Sequence, residues 1–254
     1  MPKTIFITGA TSGFGKASAE IFAKNGHNLI IAGRRKDRLE ALTDELKSQH
    51  NINIVPLCFD IRDNNAVVSA INSLQNKNID VLINSAGLAS GLSKIQDGQL
   101  DDWGKMIDTN IKGLLYVSKV VMPLMINKKK GHIINIGSTA GKETYEKGNI
   151  YCASKYAVDA ISKSMRIDLL EHGIKVTQIC PGAAETEFSE VRFHGDAEKA
   201  KKAYLGYEPM SAEDVASIIY YVTSLPENLC INDLVVTSLA QANSFYINRK
   251  NKEL

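Results

Sequence analysis

The 254-residue sequence has no excess of either charge: 30 Lys+Arg stand against 28 Asp+Glu, leaving a net charge of +2. A nucleic-acid binder carries a clear basic excess as its electrostatic footprint, so no nucleic-acid partner is expected. A long hydrophobic run is also missing. The longest lipophilic stretch, residues 113–126, is interrupted by Lys119 and falls short of the ~20 apolar residues a spanning helix needs, so no membrane span is expected. Cysteines are few. Cys58, Cys152, Cys180 and Cys230 form no Cys-x-x-Cys pair, which removes redox-motif and zinc-site readings. The five histidines, at 27, 50, 132, 172 and 194, show no paired helical spacing with acids, so no metal site is expected. The chain reaches Gly9 before a secretory apolar segment could form. Its final Asn-Lys-Glu-Leu resembles a retention signal only faintly; a cytoplasmic protein is expected.

What remains is an ordinary globular composition, 44% hydrophobic and 23% charged, ample for a core. β-rich apolar runs recur at residues 4–8, 28–32, 53–59, 80–84, 132–137, 175–180 and 234–236. Their near-continuous Ile/Val/Leu character suits strands buried on both faces of a parallel sheet. Helical patterns lie between them at 15–25, 38–49, 64–76, 100–127, 152–171 and 212–224. The alternation predicts right-handed βαβ units in a doubly wound α/β sheet. Without an internal repeat or linker, residues 1–254 read as one domain. Residues 182–210 form a long irregular excursion after a strand end. That is where α/β folds bind ligands, so residues 183–210 read as a substrate loop. Lys128–Lys130 and the group Lys199, Lys201 and Lys202 read as solvated surface.

Residues 8–15, Thr-Gly-Ala-Thr-Ser-Gly-Phe-Gly, connect the first strand to the first helix. Gly9, Gly13 and Gly15 allow a tight turn and close approach of a pyrophosphate, with Thr11, Ser12 and Phe14 between them. The helix N-terminus behind the turn offers unpaired N–H groups to a phosphate. The spacing departs from Gly-x-Gly-x-x-Gly, and a glycine turn alone has a purely steric use. The second strand then runs into Gly33-Arg34-Arg35-Lys36. An acid at that point would suit a ribose 2′-hydroxyl, whereas arginine suits a 2′-phosphate. Asp37 falls later, in the first turn of the next helix. Arg34 and Arg35 therefore predict NADP as the cofactor.

Tyr151 and Lys155 stand four residues apart and share a helix face. The spacing alone says little, since Tyr246 and Lys250 repeat it. Ser138, after the strand at 132–137, distinguishes the first pair by delivering a hydroxyl to the binding edge of the sheet. A free phenol titrates near ~10, too high for a base at neutral pH. A close lysine cation is expected to lower it, while the serine hydroxyl holds a substrate oxygen within reach of proton transfer. Such a set suits alcohol oxidation or carbonyl reduction beside a nicotinamide.

The glycine loop, Asn84-Ser85-Ala86-Gly87, Asn110, Ser138, Tyr151-x-x-x-Lys155 and Pro181-Gly182-x-x-x-Thr186 occur in the order seen in short-chain dehydrogenases/reductases. The resemblance covers almost the whole chain. It implies a Rossmann-type seven-stranded sheet with Tyr151 as acid/base, Lys155 on the nicotinamide ribose, Ser138 on the substrate oxygen and Asn110 supporting a proton-relay water. Asn84, Ala86 and Gly87 would line the cofactor, Asp60 and Ile61 would sit beside its adenine, and Pro181, Gly182 and Thr186 at its nicotinamide end. Ser85 replaces the family's usual second asparagine, which implies weaker support of the central strand. Residues 136–141, 186–193 and 195–196 look like the NADP-dependent 3-hydroxy acid dehydrogenases that also oxidise serine and allo-threonine. Their small carboxylate substrates make Arg192 the candidate anion clamp; an ordinary ion pair with Glu187 or Glu190 is the competing reading. A broad carbonyl or 3-oxoacyl-thioester reductase and a non-catalytic NADP(H)-sensing regulator remain alternatives. The resemblance also implies a homotetramer packed partly through the helices of Asn110 and Tyr151. The apolar face of Leu114, Val117 and Val121 is compatible with this, although core packing produces the same pattern.

Overall fold

Strand–helix alternation leaves each strand parallel to its neighbours, because the intervening helix returns the chain to the same edge. The computed structural model describes residues 2–250. Its strands are β1 (Thr4–Thr8), β2 (Asn28–Gly33), β3 (Ile54–Cys58), β4 (Val81–Asn84), β5 (Gly131–Ile136), β6 (Ile174–Pro181) and β7 (Asp233–Val236). They form one seven-stranded sheet of order β3-β2-β1-β4-β5-β6-β7, with every pairing parallel. The chain winds outward from β1 to β3, then crosses back to β4 and on to β7. A crevice opens between β1 and β4, where the direction reverses.

Among the described residues the helices are α1 (Gly13–Lys24), α2 (Lys36–Gln49), α3 (Asn64–Asn72), α4 (Leu100–Ile107), α5 (Leu114–Lys128), α6 (Asn149–Asp168), α7 (Phe188–Arg192), α8 (Ala197–Lys202) and α9 (Ala212–Ser224). Successive side chains of a strand point to opposite faces. Ile5 and Ile7 accordingly meet Phe22, Leu39 and Ile219 from α1, α2 and α9, while Phe6 meets Val67, Val117 and Val158 from α3, α5 and α6. Leu114, Val117 and Val121 all belong to the second core. Their apolar face is core packing and not a free surface.

Two departures from the sequence reading bear on the site. The single helix expected over 100–127 is two helices joined by a π turn at Asp108–Gly113. One cause is visible at Asn110: its side chain accepts from Leu88 N and donates to Leu88 O, both at 2.8 Å, and also donates to Ser154 Oγ at 3.0 Å. A side chain clamped to a neighbouring loop in this way fits the local widening of a π turn. The excursion after β6 is also more ordered than an irregular loop. It carries α7 and α8, and its base is stapled where Glu185 N donates to Met210 O at 2.8 Å and Met210 N to Ala183 O at 3.2 Å. Lys199, Lys201 and Lys202 face solvent on α8, whereas Lys128 ends α5 paired with Asp80 at 2.9 Å.

Candidate functional site

A cleft of about 590 Å³ lies along the C-terminal edges of the central strands. Its floor begins at the turn between β1 and α1. Gly9 has φ +71°, and a Cβ there would stand 2.8 Å from Ala86 Cα; Gly9 therefore lets the turn lie directly against the segment after β4. Gly15 does not face the cleft, but a Cβ on it would collide with the carbonyl of Gly9. Its absence of side chain seats α1 beneath the turn. Gly9, Thr11, Ser12, Gly13 and Phe14 line the cleft, as do Ala86 and Gly87 on the opposite wall. Asn84 does not. It donates to Ser118 Oγ at 3.0 Å and Asn135 Oδ1 at 2.9 Å, so the cofactor-lining role expected of it is corrected to a tie between β4, β5 and α5. Beside it, Ser85 N and Ala86 N donate to Thr8 Oγ1 at 3.1 and 3.2 Å. The Thr8 hydroxyl, accepting from two main-chain N–H groups, thus supplies support where Ser85 replaces asparagine.

Arg34 and Arg35 both reach the cleft from the end of β2, with Asp60 and Ile61 beside them. Arg34 is half-exposed and meets Asp60 at 3.4 Å. Partial burial works against ionisation of Asp60, yet hydrogen bonds from Arg62 and the charges of Arg34 and Arg62 hold its carboxyl below the usual range. Arg35 is more engaged: it donates to Thr11, to Ser12 Oγ at 2.8 Å and to Glu187 at 2.8 Å. Asp37 sits in the first turn of α2, as expected, where its charge suits the helix dipole.

Ser138, Tyr151 and Lys155 converge at the far end of the same cleft. Ser138 follows β5 and caps a short turn, its Oγ accepting from Ala140 N at 3.1 Å. Helix α6 begins at Asn149, earlier than the expected 152, which puts Tyr151 in its first turn. Lys155 lies one turn on, with Nζ donating to Ile136 O at 2.9 Å and standing 5.9 Å from the Tyr151 ring centre. Burial lowers the Lys155 pKa to about 8. The expectation that Lys155 lowers the Tyr151 pKa is not met in this arrangement. Burial and the neighbouring Tyr145 push the phenol above its ordinary value, against weaker downward pulls from Ser138 and Arg192. The reason is desolvation, which penalises phenolate and ammonium alike. Both donors of the Asn110 side-chain amide are taken by Leu88 and Ser154. It clamps the wall and does not offer its amide N–H groups to a relay water. Tyr246 and Lys250, the other pair of this spacing, lie in the irregular tail outside any helix.

Pro181, Gly182 and Thr186 complete the wall below the substrate loop. From that loop Phe188 meets the Tyr151 ring edge-on at 5.5 Å. Arg192 pairs with neither Glu187 nor Glu190. Its guanidinium lies 5.5 Å from the ring centre of Tyr145 and 5.7 Å from that of Tyr151, and Nη2 donates to Tyr145 Oη at 2.9 Å. Its Nε is buried with no hydrogen-bond partner among the described residues. Arg192 O accepts from Gly91 N at 2.9 Å, and His194 reaches buried Asp102 at 3.3 Å, anchoring this arm of the loop. Tyr145, Tyr204, Tyr207, Gln241 and Arg249 also line the cleft. Sequence reasoning singled out none of them because no spacing relates them to Tyr151, although Tyr204 and Tyr207 lie within the expected substrate loop.

The cleft fits a dinucleotide on its own geometry. It has a glycine-backed turn at a helix N-terminus, two arginines at one end, and at the other a buried ammonium with one acceptor among the described residues. The profile of the short chain dehydrogenase family matches residues 3–197. An NADP-dependent 3-hydroxy acid dehydrogenase of Schizosaccharomyces pombe is 40% identical over 251 residues, covering 98% of this chain and 97% of that protein. One of Escherichia coli K12 is 42% identical over 241 residues, covering 94% and 96%. Among solved structures, the closed form of a serine dehydrogenase complexed with NADP+ superposes with a TM-score of 0.90 at 41% identity, covering 95% of this chain and 97% of that one. A profile spanning most of the chain, together with relatives at 40–42% identity that cover 94–98% of it, shows that the chain belongs to the short-chain dehydrogenase family.

Proposed function

We propose that this chain is an NADP-dependent oxidoreductase that interconverts small 3-hydroxy acids, of the serine, allo-threonine and 3-hydroxypropionate type, with their 3-oxo acids. One observation carries the substrate class: Arg192 stacks beside Tyr151 with a buried, unpartnered Nε. A cation held against the acid/base group calls for a carboxylate one or two carbons from the reacting carbon. The relatives named for NADP and 3-hydroxy acids support the same reading.

Gly9, Thr11, Ser12, Gly13 and Phe14 would hold the cofactor phosphates, Arg34 and Arg35 the 2′-phosphate, and Asp60 and Ile61 the adenine. Ala86 and Gly87 would border the ribose held by Lys155, with Pro181, Gly182 and Thr186 at the nicotinamide. When bound, the nicotinamide accepts or donates the hydride. Ser138 orients the substrate oxygen, Tyr151 takes or returns its proton, and Arg192 holds the carboxylate. Because burial keeps Tyr151 protonated, the phenol is ready as an acid for reduction, whereas oxidation is expected to rise with pH. Three catalytic groups gathered in one cleft weigh against a purely NADP(H)-sensing role. Arg192 weighs against a reductase of long uncharged acyl groups.

The same reading includes a cytoplasmic homotetramer. Ile107, Leu115 and Tyr156, exposed on the helices around Asn110 and Tyr151, support packing between copies. No helix among the described residues is long and apolar enough to cross a membrane. The decisive test is NADP+-linked oxidation of L-serine by the purified protein, followed at the NADPH absorbance and abolished in Tyr151→Phe. Tight NADPH binding without turnover of any hydroxy acid would overturn the enzymatic reading.

A further inference from the structure

Glu187 sits where the substrate loop leaves Thr186 and enters α7. Its carboxylate turns away from Arg192 and reaches the start of α2. Oε2 accepts from Arg35 Nη1 at 2.8 Å, and Oε1 from Arg38 Nη1 at 2.6 Å. The other Arg35 nitrogens are spent on the glycine loop: Nε donates to Thr11 Oγ1, and Nη2 to Thr11 O, Thr11 Oγ1 and Ser12 Oγ. Every nitrogen of this guanidinium is therefore engaged. Arg34 is different, being half-exposed and, among the described residues, tied by its side chain only to Asp60 at 3.4 Å.

An anion arriving at the end of β2 finds Arg34 available, but it gains Arg35 and Arg38 only if Glu187 gives way. Carboxylate and phosphate carry the same sign and seek the same planar fork. Glu187 and its two partners are each 40–51% exposed along the side chain. Ion pairs that open to water are weak, weak enough to yield to a phosphate of nearly double charge. The next residue, Phe188, packs on Tyr151, so the arm that Glu187 tethers is the one that closes over the reacting centre.

We propose that Glu187 is a cofactor-specificity residue that occupies Arg35 and Arg38 in place of the 2′-phosphate, so that phosphate and substrate loop compete for the same guanidinium groups. The proposal rests on the NADP reading and deepens it. A cofactor with a 2′-phosphate frees the loop at Glu187; one with a bare ribose diol leaves it tethered.

The test is calorimetric titration of the full chain with adenosine 2′,5′-bisphosphate and with adenosine 5′-monophosphate, which differ only in the 2′-phosphate. Wild type, Glu187→Gln and Glu190→Gln are compared. Glu187→Gln is expected to bind the bisphosphate about fivefold more tightly, the size of one exposed ion pair, with the monophosphate unchanged and Glu190→Gln like wild type. Trypsin supplies the second readout, through the exposed Lys199, Lys201 and Lys202 of the loop. The bisphosphate should speed cleavage of wild type, and Glu187→Gln should be cleaved fast without it. Unchanged or weaker binding of the bisphosphate by Glu187→Gln, or protection of the wild-type loop, overturns the proposal. If wild type binds both nucleotides equally, the NADP reading falls and takes this proposal with it. If wild type prefers the bisphosphate and Glu187→Gln keeps that preference unaltered, only the role of Glu187 is lost.

Discussion

Arg192→Ala removes the guanidinium that the substrate loop places beside Tyr151. In the folded protein the guanidinium is already desolvated at Nε and fixed by Tyr145, so little further ordering is required when a carboxylate arrives. Two charge-assisted hydrogen bonds to such a group are worth about 3 kcal/mol together, taking the low end for each. That corresponds to a loss of about 150-fold in kcat/KM for L-serine, most of it in KM if the contact is equal in ground and transition states. An uncharged alcohol of the same size forfeits none of it and should change by less than about threefold. A second effect is common to both substrates. Arg192 pulls the Tyr151 pKa down, so its removal should move the alkaline rise of oxidation to higher pH whichever alcohol is used. The assay is steady-state NADP+ reduction with L-serine and with 1-propanol across pH, alongside a thermal melt to establish that the variant is folded. Equal losses in kcat/KM for the two substrates would refute the carboxylate-clamp argument.

Three further outcomes follow from the geometry. Arg34→Ala should lower the NADPH/NADH ratio of kcat/KM about tenfold, the value of one charged hydrogen bond; an unchanged ratio removes Arg34 from the 2′-phosphate site. Gly9→Ala places a Cβ at φ +71° and 2.8 Å from Ala86 Cα, so it should destabilise the fold by about 2 kcal/mol and weaken NADPH binding in a fluorescence titration; an unaltered melt contradicts the close approach. Buried His132, 2.7 Å from Thr177 Oγ1, has its pKa pushed down to about 3 by burial and by Lys175 and Lys3. Its folded pKa lies below the unfolded value, so its stabilising contribution is complete above about 6.5 and is lost as pH falls toward 3, by roughly 2 kcal/mol at pH 5. Urea unfolding of His132→Gln should be less pH-sensitive by that amount between pH 6.5 and 5, and an identical slope would show that His132 is not the source.

The strands and the candidate acid/base groups were legible because they are local signals. Isoleucine-rich runs such as 132–136, with Ile133, Ile134 and Ile136, mark a buried strand, and Ser138 follows close after its end. Gly9 and Gly15 are readable as glycines that a turn and a helix require. The π turn at Asp108–Gly113 was not legible, since the helical period runs straight through it and the clamp from Asn110 to Leu88 spans 22 residues. Asn84 was misplaced for a related reason: a residue at the end of a strand can face the cleft or the core, and only its bonds to Ser118 and Asn135 decide. The pKa of Tyr151 was misjudged because proximity of Lys155 is a matter of spacing, whereas desolvation depends on every element that closes over the ring.

The sequence alone determined a parallel α/β sheet, a glycine turn between its first strand and helix, Ser138, Tyr151 and Lys155 as candidate acid/base groups, and a basic end to the second strand. These follow from periodicity, from glycine stereochemistry, from the spacing of Tyr151 and Lys155 within one helical turn and from the place of Ser138 after a strand. The partners of the charged side chains were decided only by the tertiary structure. Glu187 lies five residues from Arg192 yet bonds Arg35 and Arg38, some 150 positions away, and Arg192 instead finds Tyr145 and Tyr151. Electrostatic partners are chosen by distance in space and by burial, neither of which is set until the loop has folded over the sheet edge.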